Sequence, residues 1–489
     1  MLTYSFSDLG SDSLYEYLYK CMKNDILNGT LSPGERLPSK RSFAKHLNVS
    51  TITIENAYAQ LLAEGYIYSI PKKGYYTADI STEGISAVPI PSPSPAPIQK
   101  QQEELYFADF ASNQTHPDTF PFSIWAKLMR EVIGEDSFAL MKNSPSGGIF
   151  PLRQEIANHL KSFRGMTVSP EQIIVGAGTE YLYGLLIQLL GFHKLYAVEN
   201  PGYQKISAIY RSNQVKCCHV PMDQQGICMD QLRKFGADIV HISPSHHFPT
   251  GIITPISRRY ELLGWASESD SRYIIEDDYD CEFRFMGRPI PSLQSIDVME
   301  KVIYMNTFTK TLASTIRISY MVLPHHLMEQ FQQNMGFYSC TVSNFEQYTL
   351  TRFLKNGHFE RHMNRMRNFY HNQRDLLLDC LKNSPLSSRI TITEEDAGLH
   401  FLMHLNTSVP DEIMIQYAKS KGVRIASLSQ YYESYPPMKQ WDAELNRQQA
   451  FLGDHTFIMN YSSIHPEHMK ADIDKLCEAI QWAENLSSS

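Results

Sequence analysis

No hydrophobic run in this chain approaches the roughly 20 residues needed to cross a bilayer; the apolar stretch Tyr183 to Phe192 is far too short. The opening MLTYSFSDLG has neither the basic flank nor the apolar core of a secretory leader. Cysteine is sparse and unpatterned. The eight residues, at positions 21, 217, 218, 228, 281, 340, 380 and 477, form no CxxC and no Cys/His spacing of a zinc site. These absences predict a cytoplasmic protein with no membrane partner, no metal and no disulfide framework, its thiols serving as small buried hydrophobes. An excess of positive charge is missing as well. Lys+Arg number 44 against 52 Asp+Glu, a formal net charge of -8, so the whole chain carries no nucleic-acid footprint. A core, by contrast, is available: 43% of residues are hydrophobic and 11% aromatic. With 489 residues the chain exceeds the roughly 250 to 300 at which single cores stop growing, so two or more domains are expected.

Residues 81–104, STEGISAVPIPSPSPAPIQKQQEE, crowd out large apolar side chains with proline, serine and glutamine, the composition of an extended linker. It separates a domain over 1–80 from one over 105–489. The first holds six Lys and two Arg against four Asp and four Glu, so it is neutral and the larger domain carries all the acidity. The charge argument against DNA therefore concerns the wrong domain.

Within 1–80, Leu14, Leu18, Met22, Ile26 and Leu27 recur at helical spacing and stop at Asn28-Gly29. Ser39 can cap a short helix bearing Phe43, Ala44 and Leu47, and Ser50 opens a third with Ile54, Ala57, Tyr58, Leu61 and Leu62 on one face. Two short helices joined by a tight turn make a helix-turn-helix. YIYSI and YYTADI then flank Pro71-Lys72-Lys73-Gly74, a hairpin with a basic tip. Periodicity alone leaves an ordinary small helical domain equally open. The run Gly29-Thr30-Leu31-Ser32-Pro33-Gly34-Glu35-Arg36-Leu37-Pro38-Ser39-Lys40-Arg41 is more specific. Over residues 12–78 the chain resembles the winged helix-turn-helix of GntR-type regulators, which implies a double-stranded promoter DNA partner. Arg36, Ser39, Lys40 and Arg41, the hydroxyls Ser50, Thr51 and Thr53 at a helix N-terminus, and Lys72 and Lys73 at the wing are then the DNA candidates. Where this resemblance places Arg, the chain has Thr51, so fewer guanine contacts are expected.

From Asp109 onward, short apolar runs alternate with helical patterns, which predicts an α/β domain with a mainly parallel sheet covered on both faces. Ligands bind at the carboxyl ends of such strands. Gly176-Ala177-Gly178-Thr179 offers backbone N–H groups and a helix N-terminus to an anion. Glu276-Asp277-Asp278-Tyr279-Asp280 ends another run, as a solvated acidic turn, a divalent-metal site or part of a binding site. Lys310, among Thr307, Thr309 and Thr311, reads as a Schiff-base lysine or a surface charge.

Jointly these residues resemble the fold-type I aminotransferases, which bind pyridoxal 5'-phosphate, and the whole chain resembles the MocR-type regulators. The resemblance implies that Lys310 forms the internal aldimine, that Asp277 pairs with the pyridine nitrogen and that Tyr279 bonds the ring hydroxyl. It gives the phosphate to Gly178, Thr179, Thr307, Thr309 and Arg317, and stacks Tyr203 on the ring. Three departures stand out. Phe248-Pro249-Thr250-Gly251 replaces an Asn-Pro-Thr-Gly turn, leaving His246 or His247 to take over the amide's role. Asn143-Ser144 precedes Pro145-Ser146-Gly147-Gly148 where a partner-reaching tyrosine is usual. Residues 457–463 lack the arginine that clamps a substrate carboxylate, leaving Lys205 and Arg424 as effector-binding cations. The function implied is a regulator sensing a small amine or amino acid, or pyridoxal phosphate itself, through aldimine exchange at Lys310; the alternative is a working aminotransferase. A head-to-tail homodimer is implied too, and a 24-residue extended linker spans about 70 Å, enough to cross to a partner.

Overall fold

In a computed structural model, residues 2–6, 12–80, 106–135, 137–285, 290–396, 398–433 and 454–487 are described. The expected linker, residues 81–104, lies outside them. The chain divides into two compact units, Met1–Gln102 and Glu103–Ser489.

The smaller unit contains helices Leu14–Leu27, Lys40–Leu47 and Thr51–Ala63. Each starts where a polar side chain satisfies free backbone N–H groups. Glu16 accepts from the Ser13 N–H at 2.9 Å, Ser39 from the Ser42 N–H at 3.2 Å and Ser50 from the Thr53 N–H at 3.1 Å. Leu18, Met22, Phe43, Ile54, Tyr58 and Leu61 are fully buried in a common core. Strands Ile67–Ile70 and Gly74–Thr77 pair antiparallel. Their turn needs positive φ at Lys72 (65°) and Gly74 (115°), which pushes Lys72 and Lys73 into solvent.

The larger unit is built on an eight-stranded sheet. Its central strands, Val302–Thr307, Tyr273–Asp277, Ile239–Ile242, Leu195–Asn200 and Lys216–Asp223, are parallel. Ser319–Val322 runs antiparallel between Val302–Thr307 and Ile173–Gly176, and Gly226–Ile227 closes the other edge antiparallel. The sheet is thus mainly parallel. Uninterrupted apolar strands such as Ile239–Ile242, buried at every position, need cover on both faces. Helix Thr179–Leu190 supplies it on one side and helix Ile256–Ser267 on the other. A four-stranded antiparallel sheet contains Ile390–Thr393, His400–Leu405, Thr456–Asn460 and Ala426–Ser427. All eight cysteines are free thiols; Cys477 is buried and the other seven half-buried, so burial of the thiols was over-expected. Among the described residues, no helix is long and apolar enough to cross a membrane.

Candidate functional site

The carboxyl ends of the parallel strands open into a cavity of about 490 Å³. Gly178, Thr179, Tyr203, Lys205, Asp277, Tyr279, Thr307, Thr309, Lys310, Arg317 and Arg424 all line it. Residues spread over nearly 250 positions therefore meet at one place.

One end of the cavity suits an anion. Gly178 stands before helix Thr179–Leu190 with φ 92°, and a Cβ there would lie 2.6 Å from the Arg317 guanidinium. Only glycine lets backbone and guanidinium approach this closely. Arg317 itself adopts φ 52° and approaches Glu180 at 3.4 Å. Ser319 donates to Thr307 at 2.8 Å, and Thr307 donates to Thr309 at 2.7 Å. That chain of hydroxyls leaves the Thr309 proton available to a ligand.

At the floor, Tyr183 donates to Asp277 Oδ2 at 2.5 Å and His241 Nε2 lies 3.5 Å from the same oxygen. Tyr210 and His241 Nδ1 are 2.8 Å apart, extending the chain inward. Burial and the Asp277 charge hold Tyr183 well above the ordinary phenol range. Asp277 Oδ1 is buried without a hydrogen-bond partner, a costly condition for a carboxylate. Nearby, burial raises Glu199 to about 8 and lowers His247 to about 3. Both are thus mainly uncharged at neutral pH, and their 3.5 Å approach is a contact between neutral groups rather than an ion pair.

His246, not His247, stands beside Tyr279. Its Nδ1 lies 3.2 Å from the phenol and 2.8 Å from Asp280 Oδ2, while His247 turns to Thr250 at 2.7 Å. Phe248, where an amide was expected, packs edge-on against Tyr203, Tyr431 and His400 at 5.8, 5.3 and 5.2 Å.

The half-buried Lys310 amine donates to the Asn113 carbonyl. Desolvation lowers it from 10.5 to about 8, with Asp280 opposing. About a tenth of the amine is therefore an unprotonated nucleophile at pH 7, against far less for an ordinary lysine. Of the two cations expected to meet an effector, Lys205 is paired with Glu180, and Arg424 lies 3.3 Å from Asp109. Near the Pro145–Gly148 turn, Ser144 accepts from Gln347 at 2.9 Å.

Tyr183, His241, Glu199, Ser319 and Asn113 carried no signal in the sequence: Glu199 and His241 lie within the last two residues of strands Leu195–Asn200 and Ile239–Ile242 but in mainly apolar runs, and the other three lie in no strand-end motif. His116, Asp118 and His465 bring potential metal-binding atoms within 4.8 Å of one another, a grouping that separation in sequence concealed. The His116 and His465 Nδ1 atoms accept backbone N–H groups of Asp118 and Glu467, each at 3.3 Å, which accounts for their orientation.

In the smaller unit, Ser39 and Ser50 are helix caps, and Lys40 pairs with Glu55 at 2.6 Å while lying over the Tyr75 ring. Arg36 bridges its backbone to Tyr76 of the hairpin. Arg36, Arg41, Thr51, Lys72 and Lys73 are exposed, and Thr53 is half-buried.

Residues 14–76 match the family of bacterial regulatory proteins, gntR family. The chain is 38% identical to an uncharacterized HTH-type transcriptional regulator, YdeL, of Bacillus subtilis, covering 87% of this chain and 91% of the relative. It is 30% identical to the probable rhizopine catabolism regulatory protein MocR of Rhizobium meliloti, over 96% of this chain and 94% of that protein. A crystal structure of the multiple substrate aminotransferase from Thermococcus profundus superposes with a TM-score of 0.65 at 23% identity, covering 79% of this chain and 93% of the other. That likeness establishes the fold of the larger unit. A winged helix-turn-helix ahead of a fold-type I aminotransferase-like domain defines a class of DNA-binding transcriptional regulator. The chain belongs to the MocR-type regulators of the GntR family.

Proposed function

We propose that the larger unit binds pyridoxal 5'-phosphate and makes DNA binding by the headpiece respond to a small amine or amino acid. The supporting observation is the unpartnered, buried Asp277 Oδ1 in the wall of the same cavity that holds Lys310. A protonated ring nitrogen is the kind of donor that oxygen lacks. The fit extends to the Gly178 turn, where a side chain would displace Arg317 from the place a phosphate needs. Bound there, the cofactor supplies an aldehyde that amines can condense with.

This chain's residues do the rest. Gly178, Thr179, Thr309 and Arg317 hold the phosphate; Asp277, steadied by Tyr183, holds the ring nitrogen. Tyr279, beside His246 and Asp280, orients the ring oxygen, and Tyr203 covers the ring face. Lys310, its amine lowered to about 8 by desolvation, supplies an unprotonated fraction that grows as pH rises toward that value. Lys205 and Arg424 offer cations to an effector carboxylate once they exchange their present partners. Residues 81–104 act as the tether between a headpiece over 1–80 and the effector domain over 105–489, in a cytoplasmic, head-to-tail homodimer. An effector then acts by its differential affinity for two arrangements of these parts.

Adding pyridoxal phosphate to apo-protein should shift the cofactor's absorbance in wild type and leave it unshifted in Lys310→Ala. Equal spectra would overturn the assignment. Sustained turnover of an amino acid with a keto acid would instead mark the protein as a working aminotransferase.

A further inference from the structure

The helix that winged helix-turn-helix proteins present to DNA has an unusual exposed face here. Ile54, Ala57, Tyr58 and Leu61 of Thr51–Ala63 are buried, which turns Ile52, Glu55, Asn56 and Ala59 to the opposite side at helical spacing. All four are exposed. Ile52 is 67% exposed, against 55% for Leu27 and 41% for Leu14 and Leu62. Among the described residues of the smaller unit Ile52 is the most exposed large aliphatic side chain, and it stands in the first turn of this helix.

That face carries no lysine or arginine, so it lacks the side chains that take guanine O6 and N7 as a pair. The cation beside it is already engaged: Lys40 is held 2.6 Å from Glu55 and lies 5.5 Å from the Tyr75 ring centre. The pair also neutralises the carboxylate that would otherwise repel phosphates. Ser50 and Thr53 are occupied too, with hydroxyls 2.8 Å apart at the helix cap. What remains for base edges is a hydroxyl, Thr51, an apolar group, Ile52, and an amide, Asn56. A branched aliphatic side chain matches the thymine 5-methyl group, and an amide matches the N6/N7 pair of adenine.

We infer that the exposed face of Thr51–Ala63 reads A·T base pairs, with Ile52 packed against a thymine 5-methyl group and Asn56 paired to adenine. The inference rests on DNA binding by the headpiece. Affinity comes from a different set of residues: the exposed cations Arg36, Arg41, Lys72 and Lys73 meet phosphates, which carry no base information.

The test starts from duplexes randomised over a central segment and selected by the full-length protein. The enriched duplex is then resynthesised with deoxyuridine for thymidine, which deletes only the 5-methyl groups. Enriched half-sites should contain A·T pairs at the contacted steps. Wild type should lose about four-fold in affinity per contacted methyl, the worth of burying one such group. Ile52→Ala should bind both duplexes equally while retaining binding to unselected DNA. Enrichment of G·C at those steps, or an equal uracil penalty in wild type and Ile52→Ala, overturns the inference. Retention of duplex without any enrichment also overturns it but leaves DNA binding standing; failure to retain any duplex removes both.

Discussion

The imidazole of His246 fills the space that a side chain at Gly398 would need: a Cβ there would lie 1.8 Å from Cε1. Gly398 also has φ 71°. One glycine thus admits the ring that stands beside Tyr279 and Asp280. Gly398→Ala should cost about 1–2 kcal/mol in backbone strain alone and push His246 away from the phenol. Thermal denaturation should show the loss, and the absorbance of bound pyridoxal phosphate should change. His246→Asn should alter the spectrum with a smaller loss of stability. If Gly398→Ala leaves both unchanged, His246 does not position Tyr279.

Lys310 gives a pH dependence with a definite sign. Burial lowers its folded value to about 8 from an ordinary 10.5. Capture of pyridoxal phosphate by apo-protein should therefore quicken as pH rises toward 8 and level off above it, rather than keep rising toward 10.5. Between about 8 and 10.5 the unfolded chain binds more protons at this residue than the folded one. Its contribution to apo-protein stability consequently grows with rising pH across that window and is lost as pH falls through it. Stopped-flow absorbance across pH 6.5 to 10 checks the first statement; denaturant titrations check the second.

Asp277→Asn removes the charge proposed to meet the ring nitrogen. Hydrogen bonds to charged groups contribute roughly 1.5–3 kcal/mol, so cofactor affinity should fall about 10- to 100-fold. The apo-protein should hardly suffer, because Oδ1 has no partner to lose. Calorimetric titration with pyridoxal phosphate measures the affinity, and an unchanged value would remove Asp277 from the site.

The wing makes an electrostatic prediction. Lys72 and Lys73 are exposed at the hairpin turn, so replacing both with alanine should weaken binding across DNA sequences. It should also reduce the steepness of log affinity against log salt by about 2, near 0.9 per lost phosphate contact. Fluorescence anisotropy at several salt concentrations provides the slope; a slope equal to that of wild type would take the wing off the DNA.

Much of this was legible in the sequence because its signals are local. Ser39 and Ser50 marked helix starts, and Pro71 to Gly74 marked the hairpin, since caps and turns depend on a few adjacent residues. Strand-end residues such as Asp277 and Lys310 were visible because parallel sheets collect ligands at one edge. Tyr183 was not visible: its phenol reaches Asp277 across 94 positions, from a helix whose apolar pattern marks it as core. His246 could be narrowed only to a choice with His247. Deciding between them took the backbone at Gly398, far along the chain, whose missing side chain makes the room. Net charge misled for a related reason, averaging an acidic domain with a neutral one.

The central claim is that chemistry at Lys310 is coupled to DNA binding. Its most direct test is the affinity of full-length protein for a selected duplex, measured with and without pyridoxal phosphate and with a panel of amino acids and amines, for wild type and Lys310→Ala. The account predicts that at least one amine changes the affinity of cofactor-loaded wild type by five-fold or more, about 1 kcal/mol of coupling, and leaves Lys310→Ala unchanged. Identical binding by both proteins under every condition would contradict it.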